Sequence, residues 1–215
     1  GAVFVTGSST NGSGNTDIVT YRLNSTNGTL AWSTITNGSG SGSNDKGNAI
    51  ILSGANVVVA GEIYNNTTGL DQTTIKYDGG SGSIIFQEDY DYLNATNRGT
   101  SLVRDSTGNI ATVGTALNGS QYEYHTVLLD STGVQLFVNQ EATGLTSLLS
   151  DPKVTCDTIA HHFYCVGEKM KTSRDIFVYQ ITPSGNTSWN LVIDGTGNSE
   201  VDAGTSISVN GIGVV

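Results

Sequence analysis

A fourfold internal period constrains this chain more than any single residue does. A short apolar run ends in glycine at Gly7, Gly61, Gly114 and Gly167, at intervals of 54, 53 and 53 residues. An acid follows each glycine after eight to ten residues, at Asp17, Asp71, Glu123 and Asp175. Each acid opens an alternating segment (IVTYRL, QTTIKYD, YHTVLLD, IFVYQIT) that runs into a turn at Gly28, Gly82, Gly133 or Gly185. Four residues beyond that turn glycine stands one large aromatic: Trp32, Phe86, Phe137 or Trp189. Alternation with period two, bounded by Gly, Asn, Asp and Ser, signals short strands, and about four strands per period is the sequence form of a propeller blade.

The expected fold is all-β, a β-propeller of about four four-stranded antiparallel blades, closed on itself or part of a longer array. The whole chain, 1–215, reads as one repeat domain with blades over 1–46, 47–98, 99–152 and 153–203. Residues 204–215 then supply a closing strand or the start of a further blade. In the second blade the strands are predicted over 49–53, 56–62, 72–78 and 83–87, joined as a meander by Gly-rich turns. Val57, Val58 and Val59 are continuously apolar, as a strand covered on both faces requires. The four aromatics are predicted to fill the wedges between blades.

Charge narrows the partners. Nine Lys plus Arg against 19 Asp plus Glu leave a net charge of −10, with no cationic cluster. Phosphate backbones and anionic membranes are both held by clustered cations, so neither nucleic acid nor a membrane surface is an expected partner. No apolar run approaches the ~20 residues that span a bilayer. Gly1 begins inside an apolar strand, AVFVTG, and the chain reads as a mature product or an excised segment.

Nine N-x-[ST] sequons occur, at Asn11, Asn24, Asn27, Asn37, Asn65, Asn66, Asn94, Asn118 and Asn186, about twice the number composition alone would produce. Asn11, Asn65 and Asn118 each stand four residues past the repeated glycine, in one loop of three successive blades. Asn is also a common turn residue. The positional repetition favours exposed glycosylated loops, and with them an extracellular or cell-surface location. The two cysteines fit an exported protein. If the strands around DTIAHHFY pair across a two-residue turn at Ala160-His161, Cys156 and Cys165 stand opposite each other at a non-hydrogen-bonded position. Such pairs lie within disulfide reach. A disulfide is expected, and two reduced core thiols are the alternative.

Acids that repeat once per blade are better explained by folding than by catalysis. Asp17, Asp71, Glu123 and Asp175 form one such set; Asp45, Asn97, Asp151 and Asp202, just ahead of each first strand, form another. A carboxylate ring at a channel mouth could hold Ca²⁺; Asx side chains pinning backbone N–H groups two residues on are the expected role instead. No metal and no cofactor are therefore expected. His125, His161 and His162 make no metal-binding motif, and no nucleophile elbow or phosphate loop occurs. Glu88, Asp89 and Asp91 are the one acidic cluster, read as a solvated strand end and not as a glycosidase pair.

Together the run G-N-x-x-V-x-G, a loop, D-x-x-x-x-K-x-D, a turn, G-x-x-x-W/F and a D/N-x-G approach resembles the SBBP-type β-propeller repeats. The stretches that carry the likeness are Asp105–Gly114, Asp71–Phe86 and Asp175–Trp189; blade three departs, with Lys153 in place of glycine and an irregular linker over 138–152. The resemblance covers nearly the whole chain and implies a fold, not an activity. The expected function is a non-enzymatic extracellular glycoprotein that serves as a structural or surface-assembly module, a filament building block. It would self-associate or join neighbouring propeller modules through terminal strands. The alternative is a carbohydrate-binding propeller presenting loops 8–16, 62–70 and 115–122 to glycans.

Overall fold

The computed structural model describes residues 1–40, 43–195 and 200–210, and within them every regular element is a β-strand. Sheet 1 contains β1 (Ala2–Thr10), β2 (Thr16–Asn24) and β3 (Leu30–Thr36); sheet 2 contains β4 (Lys46–Ser53), β5 (Asn56–Asn65), β6 (Gly69–Tyr77) and β7 (Ile84–Tyr90). Sheet 3 contains β8 (Thr96–Arg104), β9 (Ile110–Asn118), β10 (Gln121–Leu129) and β11 (Gln135–Leu145). Sheet 4 contains β12 (Lys153–Cys156), β13 (Phe163–Met170), β14 (Arg174–Ile181) and β15 (Thr187–Ile193). Every sheet is a meander of sequential strands, the layout of a propeller blade.

The repeated residues have identifiable backbone jobs. Gly28, Gly82, Gly133 and Gly185 all have positive φ, between 69° and 96°. Just before each of these turns the ladder slips by one residue, at Arg22/Leu23, Lys76/Tyr77, Leu128/Leu129 and Gln180/Ile181. A glycine in the left-handed region beside a bulge is a standard way to close such a hairpin. Gly61 has a different cause: a Cβ there would sit 2.1 Å from the carbonyl oxygen of Lys46.

The chain forms two compact units, residues 1–99 and 100–215. In the first, the core lies between sheets 1 and 2 and gathers Ile18, Val57, Val59, Ile75 and Tyr77, with Phe4, Trp32 and Ile50 against it. Val57, Val58 and Val59 are fully buried, as their unbroken apolar run requires. In the second, the core includes Val113, Tyr124, Leu128, Phe163, Phe177, Tyr179 and Ile181.

The wedge aromatics divide into two kinds. Trp32 donates Nε1–H to the carbonyl of Gly79 in the turn of sheet 2, and its ring lies where a Cβ on Gly82 would be. Phe137 packs in the same way on Gly185, in the turn of sheet 4. Phe86 is half-buried with the Lys76 ammonium 5.7 Å from its ring centre. Trp189, on the last strand, is 43% exposed and touches Tyr164 of its own sheet. The expectation that all four fill wedges is therefore corrected for Trp189.

Cys156 and Cys165 also depart from expectation: both are free, buried thiols. The ladder pairs Cys156 with Phe163 and Val154 with Cys165, two residues away from the register that would bring the sulfurs together. Asp157 causes the shift. Its Oδ1 accepts from the N–H groups of Ile159 and Ala160, and its own N–H bonds the carbonyl of His162. This closes a wider turn in which His161 takes φ +55°. The thiols end as diagonal neighbours, about 7–8 Å apart at Cα, and burial pushes Cys156 up to about 11 and Cys165 up to about 12.

Residues 204–210 form no strand, and 211–215 fall outside the described residues, so the expected closing strand is not among the elements seen. β1 pairs with β2 alone among the described strands and is the edge of sheet 1. The Ser39–Ser43 linker lies partly outside the described residues.

Candidate functional site

The chemistry-bearing side chains collect where the second strand of each four-stranded sheet hands over to the third, and where β1 of the three-stranded sheet 1 hands over to β2. In sheet 1, Asn11 heads the loop: its Oδ1 accepts from Ser13 and Asn15 N–H, and its Nδ2 donates to both oxygens of Asp17 at 3.2 Å. In sheet 2, Asn65 Nδ2 donates to Asp71 at 2.7 Å and Thr68 Oγ1 donates to the same oxygen at 2.6 Å. In sheet 3, Asn118 Nδ2 donates to Glu123 at 3.2 Å, while His125 Nε2 lies 3.3 Å from the other carboxylate oxygen. Burial lowers the pKa of His125, with Glu123 acting against it. An Asn amide thus serves the repeated acid in each of three sheets, and in sheet 2 it also reaches Asp89. Sequence spacing held this signal, because Asn and acid stand five or six residues apart each time. The repeated acids have the fold-pinning role expected of them in these three sheets, but through an Asn partner that repetition alone did not reveal.

The second repeated polar position pins backbone over longer range than expected. Asp45 is fully buried and accepts from Gly38 N–H at 3.0 Å and Tyr64 N–H at 2.7 Å, tying the linker after sheet 1 to the end of β5. Burial raises the Asp45 carboxyl, these two N–H groups oppose the rise, and Asp17 and Asp89 add to it. Asn97 donates to Asp91 and to the carbonyl of Ala95. Asp202 accepts from Gly195 N–H at 2.9 Å, the counterpart of the Asp45–Gly38 bond. Asp151 is exposed.

Glu88, Asp89 and Asp91 do not face one space. Glu88 and Asp89 are adjacent on β7, so they point to opposite faces of the sheet. Asp89 accepts from Thr73 Oγ1 at 2.6 Å and from Gln87. Burial, with Asp89 adding, raises the Glu88 carboxyl. Asp91 accepts from Asn97 and from the N–H of Asn94.

The sequons separate by what their amides do. Asn24, Asn27, Asn37, Asn66, Asn94, Asn118 and Asn186 are exposed; Asn11 and Asn65 are half-buried. Asn24 and Asn27 use Oδ1 within their turns, whereas Asn66 donates Nδ2 to the carbonyl of Ser39 and Asn186 donates to Ser184. Glycan attaches at Nδ2, so the amides bound to Asp17, Asp71 and Glu123 carry a competing structural job. The positions whose repetition argued most strongly for glycan are those with the clearest other explanation.

The sequence matches no family model and no curated protein. Among solved structures the fold is similar to a protein of unknown function from Bacteroides caccae, with a TM-score of 0.54 and 12% identity. The match takes in 91% of this chain and 59% of the other, so this chain spans well under two thirds of that protein's length. The likeness concerns the all-β fold alone. Among the described residues, no helix is long and apolar enough to cross a membrane, which says nothing of β-barrels.

Proposed function

We propose that this chain is a non-enzymatic extracellular glycoprotein, a structural module that assembles by adding blade to blade. The observation that carries the reading is a pair of apolar faces left uncovered among the described residues. Sheet 2 receives sheet 1 on a face built from Val57, Val59, Ile75 and Tyr77, all at 0% exposure. One period earlier the corresponding residues of sheet 1, Val3 and Val5, are 46% and 44% exposed. At the other end, Trp189, Leu191 and Ile193 of β15 form the row that matches Trp32, Thr34 and Thr36, yet they are 43%, 53% and 43% exposed. A receiving face and an inserting face of unlike composition make a heterologous contact, which gives a ring if the rotation closes and a filament if it does not.

The resemblance to SBBP-type repeats supports a blade-by-blade architecture, and the exposed sequons at Asn24, Asn27, Asn37, Asn94 and Asn186 support glycosylation at the surface. The carbohydrate-binding reading is weaker, because Asn11, Asn65 and Asn118 direct their amides to acids of their own sheets. Light scattering and electron microscopy of native material test the assembly: oligomers or filaments are expected, and a monodisperse monomer would refute it. Intact mass before and after deglycosylation tests the glycan. Saturable binding on a glycan array would shift the assignment to a lectin.

A further inference from the structure

Sheet 4 breaks the pairing of amide and acid. The place held by Asn11, Asn65 and Asn118 is taken there by Lys171, which is exposed. Asp175, the acid of this sheet, is fully buried; its Oδ1 accepts from Ser173 Oγ at 2.8 Å, and its Oδ2 has no hydrogen-bond partner among the described residues. Asp71 also leaves one oxygen without a donor, but its other oxygen takes both an amide and a hydroxyl. Two more carboxylates approach Asp175 instead of a donor: one oxygen each from Asp175, Asp194 and Asp202 lie within 4.8 Å of one another.

We propose that Asp175, Asp194 and Asp202 form a Ca²⁺ site. Three carboxylates this close repel one another unless a cation sits among them; of the nearby cationic side chains Lys171 is exposed, and Arg174 and Lys169 are engaged elsewhere. Arg174 bonds Glu168 at 3.2 Å and Ser147 at 2.8 Å, and Lys169 lies 4.3 Å from the centre of the Phe177 ring and 4.0 Å from Glu141. The positions are held by backbone: the Asp202 N–H bonds the carbonyl of Arg174 at 2.8 Å, and Asp202 Oδ2 accepts from Gly195 N–H. Asp194 follows directly on the end of β15. Ca²⁺ takes oxygen ligands at about 2.3–2.6 Å in a flexible geometry, whereas Mg²⁺ demands near-ideal octahedral geometry and keeps several of its waters. The oxygen set, hard and anionic, suits Ca²⁺, and water or carbonyl oxygens complete its six to eight ligands. Bound ion would tie the start of β14, the end of β15 and the segment around Asp202 into one corner. The expectation of no metal rested on the acids being alike in every repeat, and the fourth is not alike.

Calorimetric titration of the whole chain with CaCl₂, alongside thermal unfolding, tests the site. One saturable site is expected, with Kd on the order of 10⁻⁴–10⁻³ M, the range of extracellular modules, and a Tm that rises with Ca²⁺ but not with NaCl of equal ionic strength. Asp194 is exposed, so Asp194→Asn is expected to fold. It should weaken Ca²⁺ binding about tenfold or more while leaving the Ca²⁺-free Tm unchanged or higher, because one like charge is gone. Asp175→Asn should also lose the Ca²⁺ response. No saturable binding up to about 20 mM, or an undiminished Ca²⁺ response in Asp194→Asn, would overturn the proposal.

Discussion

Trp32 and Trp189 hold the same place in the repeat and live in different surroundings. Trp32 rests on Tyr77 and on the turn of sheet 2, with its indole N–H satisfied by Gly79. Trp189 has no later turn beneath it among the described residues and stands 43% exposed. The difference teaches that the repeat position encodes an interface, and that burial follows only when the next sheet is there to receive it. Removing the ring should therefore separate the two sites. Trp32→Ala should cost about 3–5 kcal/mol, since an aromatic is lost from a packed core, read as a lowered urea midpoint with unchanged m-value. A loss below about 1 kcal/mol would mean that the contact with sheet 2 contributes little.

A second contrast sharpens the first at the level of charge. Glu168 is fully buried and accepts from Leu149 N–H, Ser150 N–H, Ser150 Oγ and the Arg174 guanidinium, so it holds down the irregular linker ahead of β12. The Arg98–Glu62 pair of the other unit is partly exposed, with the Arg98 side chain at 36%. Glu168→Ala should destabilise by about 3 kcal/mol, because it orphans a mostly buried guanidinium and several donors. Arg98→Ala should stay within about 1 kcal/mol, the usual worth of an exposed pair. Equal effects from the two variants would show that burial does not separate them.

Much of this architecture was legible in the chain. The 53–54 residue period, the strand sets and the turn glycines follow from spacing and alternation, and the bulge that recurs before each turn follows the same beat. The hairpin holding the cysteines was not legible. A two-residue and a wider turn are both compatible with DTIAHHFY, and the choice rests on the Asp157 carboxylate capping two N–H groups, a local bond that hydrophobic alternation does not report. The Asn–acid pairs were present as a spacing but became meaningful only once the hairpin loops had shape. Lys171 shows the converse: a single departure from the repeat mattered more than the repeats themselves.

The thiols give a prediction of intermediate size. Burial lifts Cys156 to about 11 and Cys165 to about 12, so the native state keeps both protons after the unfolded chain has lost them. The unfolded state then binds fewer protons, and stability falls as pH rises from the ordinary thiol range towards the folded values. The stabilisation is complete below about pH 8, and on the order of 3–4 kcal/mol for the two thiols together should be gone by pH 10. Urea midpoints across pH 7–10 would show it, and a flat profile would contradict it. Reductant should leave the midpoint at neutral pH unchanged, and both thiols should react with a labelling reagent only on unfolding. Linked peptides in a non-reducing map would restore the disulfide.

The smallest expected change in stability tests the interface most directly. Trp189→Ala removes a ring that is 43% exposed and that contacts Tyr164 within its own sheet. Little buried area is lost in the isolated chain, so unfolding should shift by less than about 1 kcal/mol. Association is where the substitution should register. Leu191 and Ile193 extend the same apolar row along β15, and aromatic anchors at the centre of such patches carry a large share of binding energy. Light scattering at matched concentrations should show the variant less associated than the parent, and a charged Leu191→Lys variant should be less associated still. If Trp189→Ala destabilises the fold as severely as Trp32→Ala while leaving association unchanged, the exposed row is part of the core of its own sheet, and the inserting face must be sought elsewhere.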